Sequence, residues 1–337
     1  MMLAAIVAVA GMATAQTEQS DIVSATLQHG DETTVYYGQN AFQRAYNDAA
    51  DAGDVIRLSA GFFDGITIRK SVAVYGVGFE GDAEAGLAAT RTGRIIVTQD
   101  GEKTNGCYFE GLRIEGDFQI NGTLTKNITV VKCRVTSAMF LEGDTENVTL
   151  RQCIFGYLRG RSYYSNSGWN NCLAKNLQVI NCSVGSVNWF QTDENIPSTV
   201  FLDHCHVYDS NGAYVFTNCV FATTNIAVGS TARGCVFPGT LDETKYTADG
   251  NVYNRALSTV FTDGVNNINY ENDGVPRDLI VADDLVGIDG TPMGIHGGNY
   301  KFNKLANVPR ILSFDATPSE DGKKVTLNLK ADVPNAR

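Results

Sequence analysis

Apolar and polar residues alternate with a period of two in short stretches along most of the chain, and the alternation breaks at the same place in each. The clearest stretch is Asn127-Ile-Thr-Val-Val-Lys-Cys133-Arg-Val135. It reads as apolar, any, apolar, two turn-type residues, Cys, any, apolar. The same frame fits the segments around Cys153, Cys182, Cys205 and Cys219, and more weakly Cys235. Upstream it fits Cys107 to Ile114, Val72 to Phe79 and Ile56 to Phe63, with Leu112, Val77 and Gly61 at the Cys position. Period two is the signature of a strand. A break rich in Gly, Asn, Gln, Lys and His marks a corner where two short strands meet.

The equivalent positions 61, 77, 112, 133, 153, 182, 205, 219 and 235 are 16, 35, 21, 20, 29, 23, 14 and 16 residues apart, about 22 on average. Repeats of that length signal a solenoid, in which each coil buries its apolar face only against its neighbours. The predicted fold is therefore all-β, a right-handed parallel β-helix over residues 40–255. Residues 16–39 form a lead-in segment. From Asn40 to Gly53 the pattern predicts a capping helix, with Asn40 as N-cap, Gln43 three residues on and Gly53 past the end. Its apolar face holds Phe42, Ala45, Tyr46 and Ala49.

The frame stops near Asn251. By the frame Ile154, Phe201, Val215, Val220 and Val236 point outward, and such an apolar set needs cover. Residues 256–337 are expected to fold back along the later coils and supply it. Within them, Val286 to Tyr300 is a glycine-punctuated turn sequence. Two alternating stretches, 310–316 and 324–330, joined by Glu320-Asp-Gly-Lys, predict a terminal hairpin.

The repeat resembles the pectin-lyase-like β-helix superfamily over roughly residues 40–255. Gly53 to Phe63, Ile66 to Phe79 and the turn sequence Val286 to Tyr300 resemble the opening and closing regions of exported β-helix proteins of Gram-negative bacteria. The resemblance specifies architecture better than activity. Many proteins of that superfamily cleave acidic polysaccharides, and a lyase must neutralise a uronate and remove the neighbouring proton. The best outward cations for such a face are Arg113, Arg134, Lys132 and Arg151. Against it stand 37 acidic and 26 basic residues, a net charge of −11 and a pI near 4.8, which disfavour a polyuronate and exclude nucleic acid as a natural partner. A hydrolase finds no better support, because the pair Asp283 and Asp284 falls outside the coils. Asp203-His204-Cys205-His206 suggests a metal, but the frame turns these side chains in different directions. No metal and no cofactor are expected.

Met1 to Ala15 is apolar and ends in Ala13-Thr14-Ala15, which reads as a signal peptide with its cleavage site. The expected product is exported, periplasmic or extracellular, without a membrane span or a lipid anchor. Six of the eight cysteines share one repeat position. Parallel Cβ vectors on stacked strands do not favour disulfide geometry, so buried free thiols are expected. Cys172 lies outside the frame.

Two insertions carry the remaining candidates. The stretches 157–171 and 187–197 leave adjacent coils and bring Arg159, Arg161, Tyr163, Tyr164, Trp169, Trp189, Asp193 and Glu194 into one neighbourhood. Aromatic faces bordered by planar hydrogen-bonding groups suit sugar rings, although the same rings could serve only to pack the loops onto the wall. The leading expectation is a monomeric, non-catalytic exported protein presenting a carbohydrate- or surface-binding face. The alternatives are a divergent polysaccharide lyase acting on an acidic glycan and a purely structural surface protein.

Overall fold

The computed structural model describes residues 23–50, 53–81, 88–98, 104–122, 125–164, 168–190, 198–268, 271–272, 275–306, 310–318 and 325–332; for those within 161–170, 271–276 and 310–332 it describes the backbone alone. The stretch read as a signal peptide, residues 1–15, lies outside them.

Two long sheets dominate, of 13 and 11 strands among the described residues. The first opens with an antiparallel hairpin, Ser24–His29 with Glu32–Tyr37. It continues through Asp54–Leu58 and Val72–Tyr75 to Thr231–Arg233 and Thr247–Asp249, every neighbour from Asp54 onward being parallel. The second sheet is parallel throughout and takes the strand that follows the corner in each repeat, such as Arg134–Glu142, Ile154–Arg159 and Ser183–Asn188. The alternation therefore stacks in register, Tyr108 beside Thr129 beside Thr149 outside and Phe109 beside Val130 beside Leu150 inside. The architecture is mostly β and compatible with an all-β solenoid.

The corner explains the turn-type residues. Lys132, Gln152, Asn181, His204 and Asn218 all have φ between 48° and 55°, and Gly111, Gly234 and Gly250 continue the same file. Left-handed backbone costs an L-residue roughly 1–2 kcal/mol, so each of these side chains needs compensating bonds. The next position points inward. There Cys133, Cys153, Cys182, Cys205, Cys219 and Cys235 line up as buried free thiols. The Cys153 N–H lies 3.3 Å from Cys182 Sγ, and the Cys205 N–H lies 3.4 Å from Cys219 Sγ. Asn251 ends the file, its Oδ1 accepting from the Cys235 N–H at 2.8 Å.

Two local readings need correction. The helix is Ala41–Asp48, shorter than the pattern suggested, and Asn40 makes no side-chain capping bond. Gln43 bonds Asn47 one turn on instead of reaching back. The Val72 to Phe79 copy is also interrupted. A Cβ on Gly76 would meet the Gly111 carbonyl at 2.4 Å, and the chain leaves the frame there. The second-sheet strand resumes at Thr90–Thr92, with Thr90 Oγ1 accepting from the Val77 N–H at 2.9 Å.

The described residues of 257–306 run back over the second sheet as a strap. Leu257, Phe261, Leu279, Leu285, Met293 and Ile295 bury Val220 and Val236, with Ile154 packed alongside, and the same cluster reaches Phe79 near the start of the chain. There Leu305 bridges Gly78 and Lys304 pairs with Glu80 at 3.0 Å. Two of the apolar residues expected to need cover lie on the first sheet and do not receive it: Phe201 stays 41 % exposed and Val215 half-buried. Beyond it, Arg310–Pro318 and Val325–Asp332 pair as an antiparallel hairpin.

Candidate functional site

The outer face of the second sheet is built from one file of residues just past the corner. Arg91, Arg113, Arg134, Ile154, Ser183 and His206 stand side by side on successive strands. Two residues further on, the strands bend over glycines. A Cβ on Gly185 would lie 1.9 Å from the Gly156 carbonyl oxygen, and one on Gly156 would lie 3.2 Å from that of Ser137. The bare backbone forms the floor of a groove lined by Arg134, Thr136, Ile154, Ser183 and the strap's Ile268. Its volume, about 160 Å³, is below the roughly 300–1,000 Å³ of drug-sized pockets. It is a shallow trough open to solvent. Ser183 Oγ donates to the Ile268 carbonyl at 3.3 Å, tying one wall to the floor.

Beyond the bend the same strands carry an aromatic cluster. The Arg159 guanidinium lies 4.0 Å from the Tyr157 ring centroid, 4.8 Å from Trp189 and 5.7 Å from Phe140. Phe140, Arg159 and Asn188 are in register on three adjacent strands. Trp189 closes the cluster from the end of the third, with φ 63° and its backbone N–H donating to Asn211 Oδ1 at 3.1 Å. Such cation–π contacts contribute ~0.5–2 kcal/mol each, enough to hold a planar guanidinium beside planar rings. Tyr157 is 43 % exposed and Trp189 half-buried. Chemically, the trough and cluster offer ring faces for stacking and donors from Arg134 and Arg159.

The sequence candidates are distributed unevenly. Arg159 and Trp189 meet, but Tyr157 to Arg159 is the end of a strand and not a loop. Arg161–Tyr164 and Gly168–Asn171 form a hairpin that places Tyr163 opposite Trp169 and lies along Arg134–Glu142; the side chains of Arg161, Tyr163, Tyr164 and Trp169 are outside the described set. Asp193 and Glu194 fall outside the described residues altogether. Sequence reasoning missed Phe140, Tyr157 and the glycine floor. A signal for the floor was present, because Gly156 and Gly185 each follow a frame cysteine by three positions.

The four cations proposed for a lyase do not share a face. Arg113 and Arg134 adjoin on the second sheet. Glu115 sits 2.7 Å from Arg91 and 3.7 Å from Arg113, and the Arg91 hydrogen bond holds its carboxyl below the usual range. Arg151 is on the first sheet, its guanidinium 4.5 Å over Tyr300. Lys132 is at the corner between them and buried, and burial lowers its ammonium pKa. The frame had treated the corner as outward, and the left-handed turn is what makes the difference.

Asp203 to His206 likewise diverges. Cys205 points into the core, while His204 sits at the corner with Nδ1 3.1 Å from Asp203 and Nε2 3.3 Å from Asp289 of the strap. Burial pulls the His204 pKa down, but the adjacent carboxylates of Asp203 and Asp289 outweigh it and leave it above the ordinary value. Among the described residues no group of three or more His, Cys, Asp or Glu is placed to hold a metal, and no helix is long and apolar enough to cross a membrane.

No family model matches the chain, and no curated protein or solved structure is significantly similar to it.

Proposed function

We propose that this chain is an exported, non-catalytic, right-handed parallel β-helix protein of the pectin-lyase-like kind that binds carbohydrate on the outer face of its second sheet. The observation that supports this most is the Tyr157, Arg159, Phe140 and Trp189 cluster beside the glycine-floored trough. Sugar rings present apolar faces edged by hydroxyls, which stacked aromatics and a planar guanidinium complement. The trough suits a chain lying across the strands better than an enclosed small molecule.

The test is a glycan-array screen followed by calorimetric titration of the hit, with an absorbance assay for unsaturated uronate products on the same material. Binding without product, weakened at least tenfold in Tyr157→Ala and Trp189→Ala, is the expected result. The second reading, a divergent lyase, is favoured by the Arg91, Arg113 and Arg134 file. Product formation lost in Arg134→Ala and kept in Trp189→Ala would select it. Neither binding nor product would leave the structural surface protein.

A further inference from the structure

The chain holds four histidines, and His204, His206 and His296 sit where the strap meets the coils. His206 is the informative one. It occupies the outer file between Ser183 and Val220, a position that faces water unless something covers it, and it is fully buried. Phe261 of the strap packs edge-on against the imidazole with centroids 5.2 Å apart. The Ile295 N–H donates to Nε2 at 3.4 Å, so Nε2 is the unprotonated nitrogen and Nδ1, buried without a hydrogen-bond partner, carries the proton. A Cβ on Gly294 would lie 2.4 Å from Nε2; the strap backbone closes directly over that nitrogen.

A second proton on Nε2 would aim at the Ile295 donor. Among the described residues no carboxylate is in position to compensate. On the strap the titratable neighbour is His296, itself a base, and on the adjoining strands the neighbours are Ser183 and Val220. His204, two residues back, turns away to Asp203 and Asp289.

We infer that the strap is an acid-released cover: protonation of His206 expels the segment around Gly294 and Ile295 and uncovers the outer face of the later coils.

The sign follows from linkage. Burial, with a smaller push from His296, holds the covered imidazole at about 3, against 6.5 for an ordinary one. A group kept neutral when covered favours the closed form above the ordinary value. As pH falls below about 6.5 the bias turns toward opening, about tenfold per unit, until the covered value is reached. His204 opposes this, because Asp289 is lost on opening and its charge favours the protonated, closed form. The opposition is partial, since Asp203 belongs to the coils and stays. Ile268 of the strap walls the trough, so release would also widen the proposed carbohydrate site. That consequence rests on the carbohydrate reading; the release itself does not.

Hydrogen exchange read by mass spectrometry on the full-length chain, corrected for the intrinsic pH dependence, tests it without any ligand. Peptides covering 285–300 should lose protection steeply, up to about tenfold per unit, between about pH 6 and 4, while a peptide covering 174–184 stays protected. His206→Phe, which keeps the ring contact with Phe261, should abolish that slope, and His204→Gln should steepen it. Protection of 285–300 that does not change with pH, or a slope that survives His206→Phe, overturns the inference. Should that variant fail to fold, titration of His206 by NMR in the native chain decides, because an ordinary imidazole value in the closed form contradicts the proposal outright.

Discussion

At the scale of single residues, the cysteine file shows what the interior selects for. A position that repeats at a left-handed corner, stacked on its own copies along the coil, has room for a small apolar side chain, and a thiol fills it while donating weakly to carbonyls. Cys153 Sγ reaches the Arg151 carbonyl at 3.2 Å and Cys205 Sγ reaches that of Val179 at 3.2 Å. Burial pushes the Cys107 thiol up to about 11 and that of Cys133 up to about 12, so almost no thiolate of either exists at neutral pH, and the thiolate is the reactive species; for the other six it is burial that denies a reagent access. All eight thiols are buried. The native protein should therefore be inert to a bulky disulfide reagent and yield eight equivalents once denatured. Prompt labelling of even one thiol in the native state would show that the coils open far more readily than their packing implies.

Elements, rather than residues, set the limit on what could be read from the chain. The strand before the corner, the corner and the inward cysteine were legible in the sequence because each repeats a rigid local requirement: period two, left-handed backbone, small side chain. The next stretch of each coil was not. Between Val135 and Ala138 the register slips against the neighbouring strand, so the parity of inward and outward residues changes by one and the alternation looks broken. That slip hid Phe140 and Tyr157 and made a strand end resemble a loop. Arg159 and Trp189 could be paired because they leave adjacent coils, but only parallel stacking shows that Phe140 lies beside them. Gly76-Val-Gly-Phe79 kept the alternation through a real interruption, and nothing in its pattern marks the departure. The bend itself makes a testable contrast. Gly185→Ala sets a methyl against a backbone oxygen at 1.9 Å, whereas Gly156→Ala meets one at 3.2 Å. The first should cost ~1–3 kcal/mol of strain in denaturant unfolding and the second much less. Both roughen the trough floor, so under the proposed carbohydrate function both should weaken glycan binding. A Gly185→Ala protein as stable as the parent would mean the bend is not rigid.

For the whole molecule the decisive question is cooperativity. A solenoid is held by contacts between neighbouring coils, so its ends can fray independently of its middle. The strap changes that, because one continuous segment bonds corner after corner along the stack. Asn218 Oδ1 accepts from the Ile288 N–H at 2.9 Å, and Asn181 Nδ2 donates to the carbonyls of Ile295 at 2.8 Å and Gly297 at 2.9 Å. Gln152 reaches the Lys301 carbonyl and Glu80 meets Lys304. Four of the strained corner residues, Gln152, Asn181, His204 and Asn218, are thus the strap's anchors, which accounts for polar side chains where glycine would be cheaper in backbone energy. Unfolding of any coil under the strap loosens the strap over the others, so the described coils should melt together, with coincident transitions by circular dichroism and tryptophan fluorescence. Asn181→Ala removes two buried hydrogen bonds and keeps the left-handed strain, a loss of about 1–3 kcal/mol for the unsatisfied groups alone. Asn181→Gly loses the same bonds but relieves the backbone, and should be the more stable of the two by about 1 kcal/mol. In both variants the two probes should separate, the coils nearest the chain's beginning and those under Val220 and Val236 melting apart. If the transitions stay coincident while stability falls, the coupling runs through the coils themselves and the strap is only a cover.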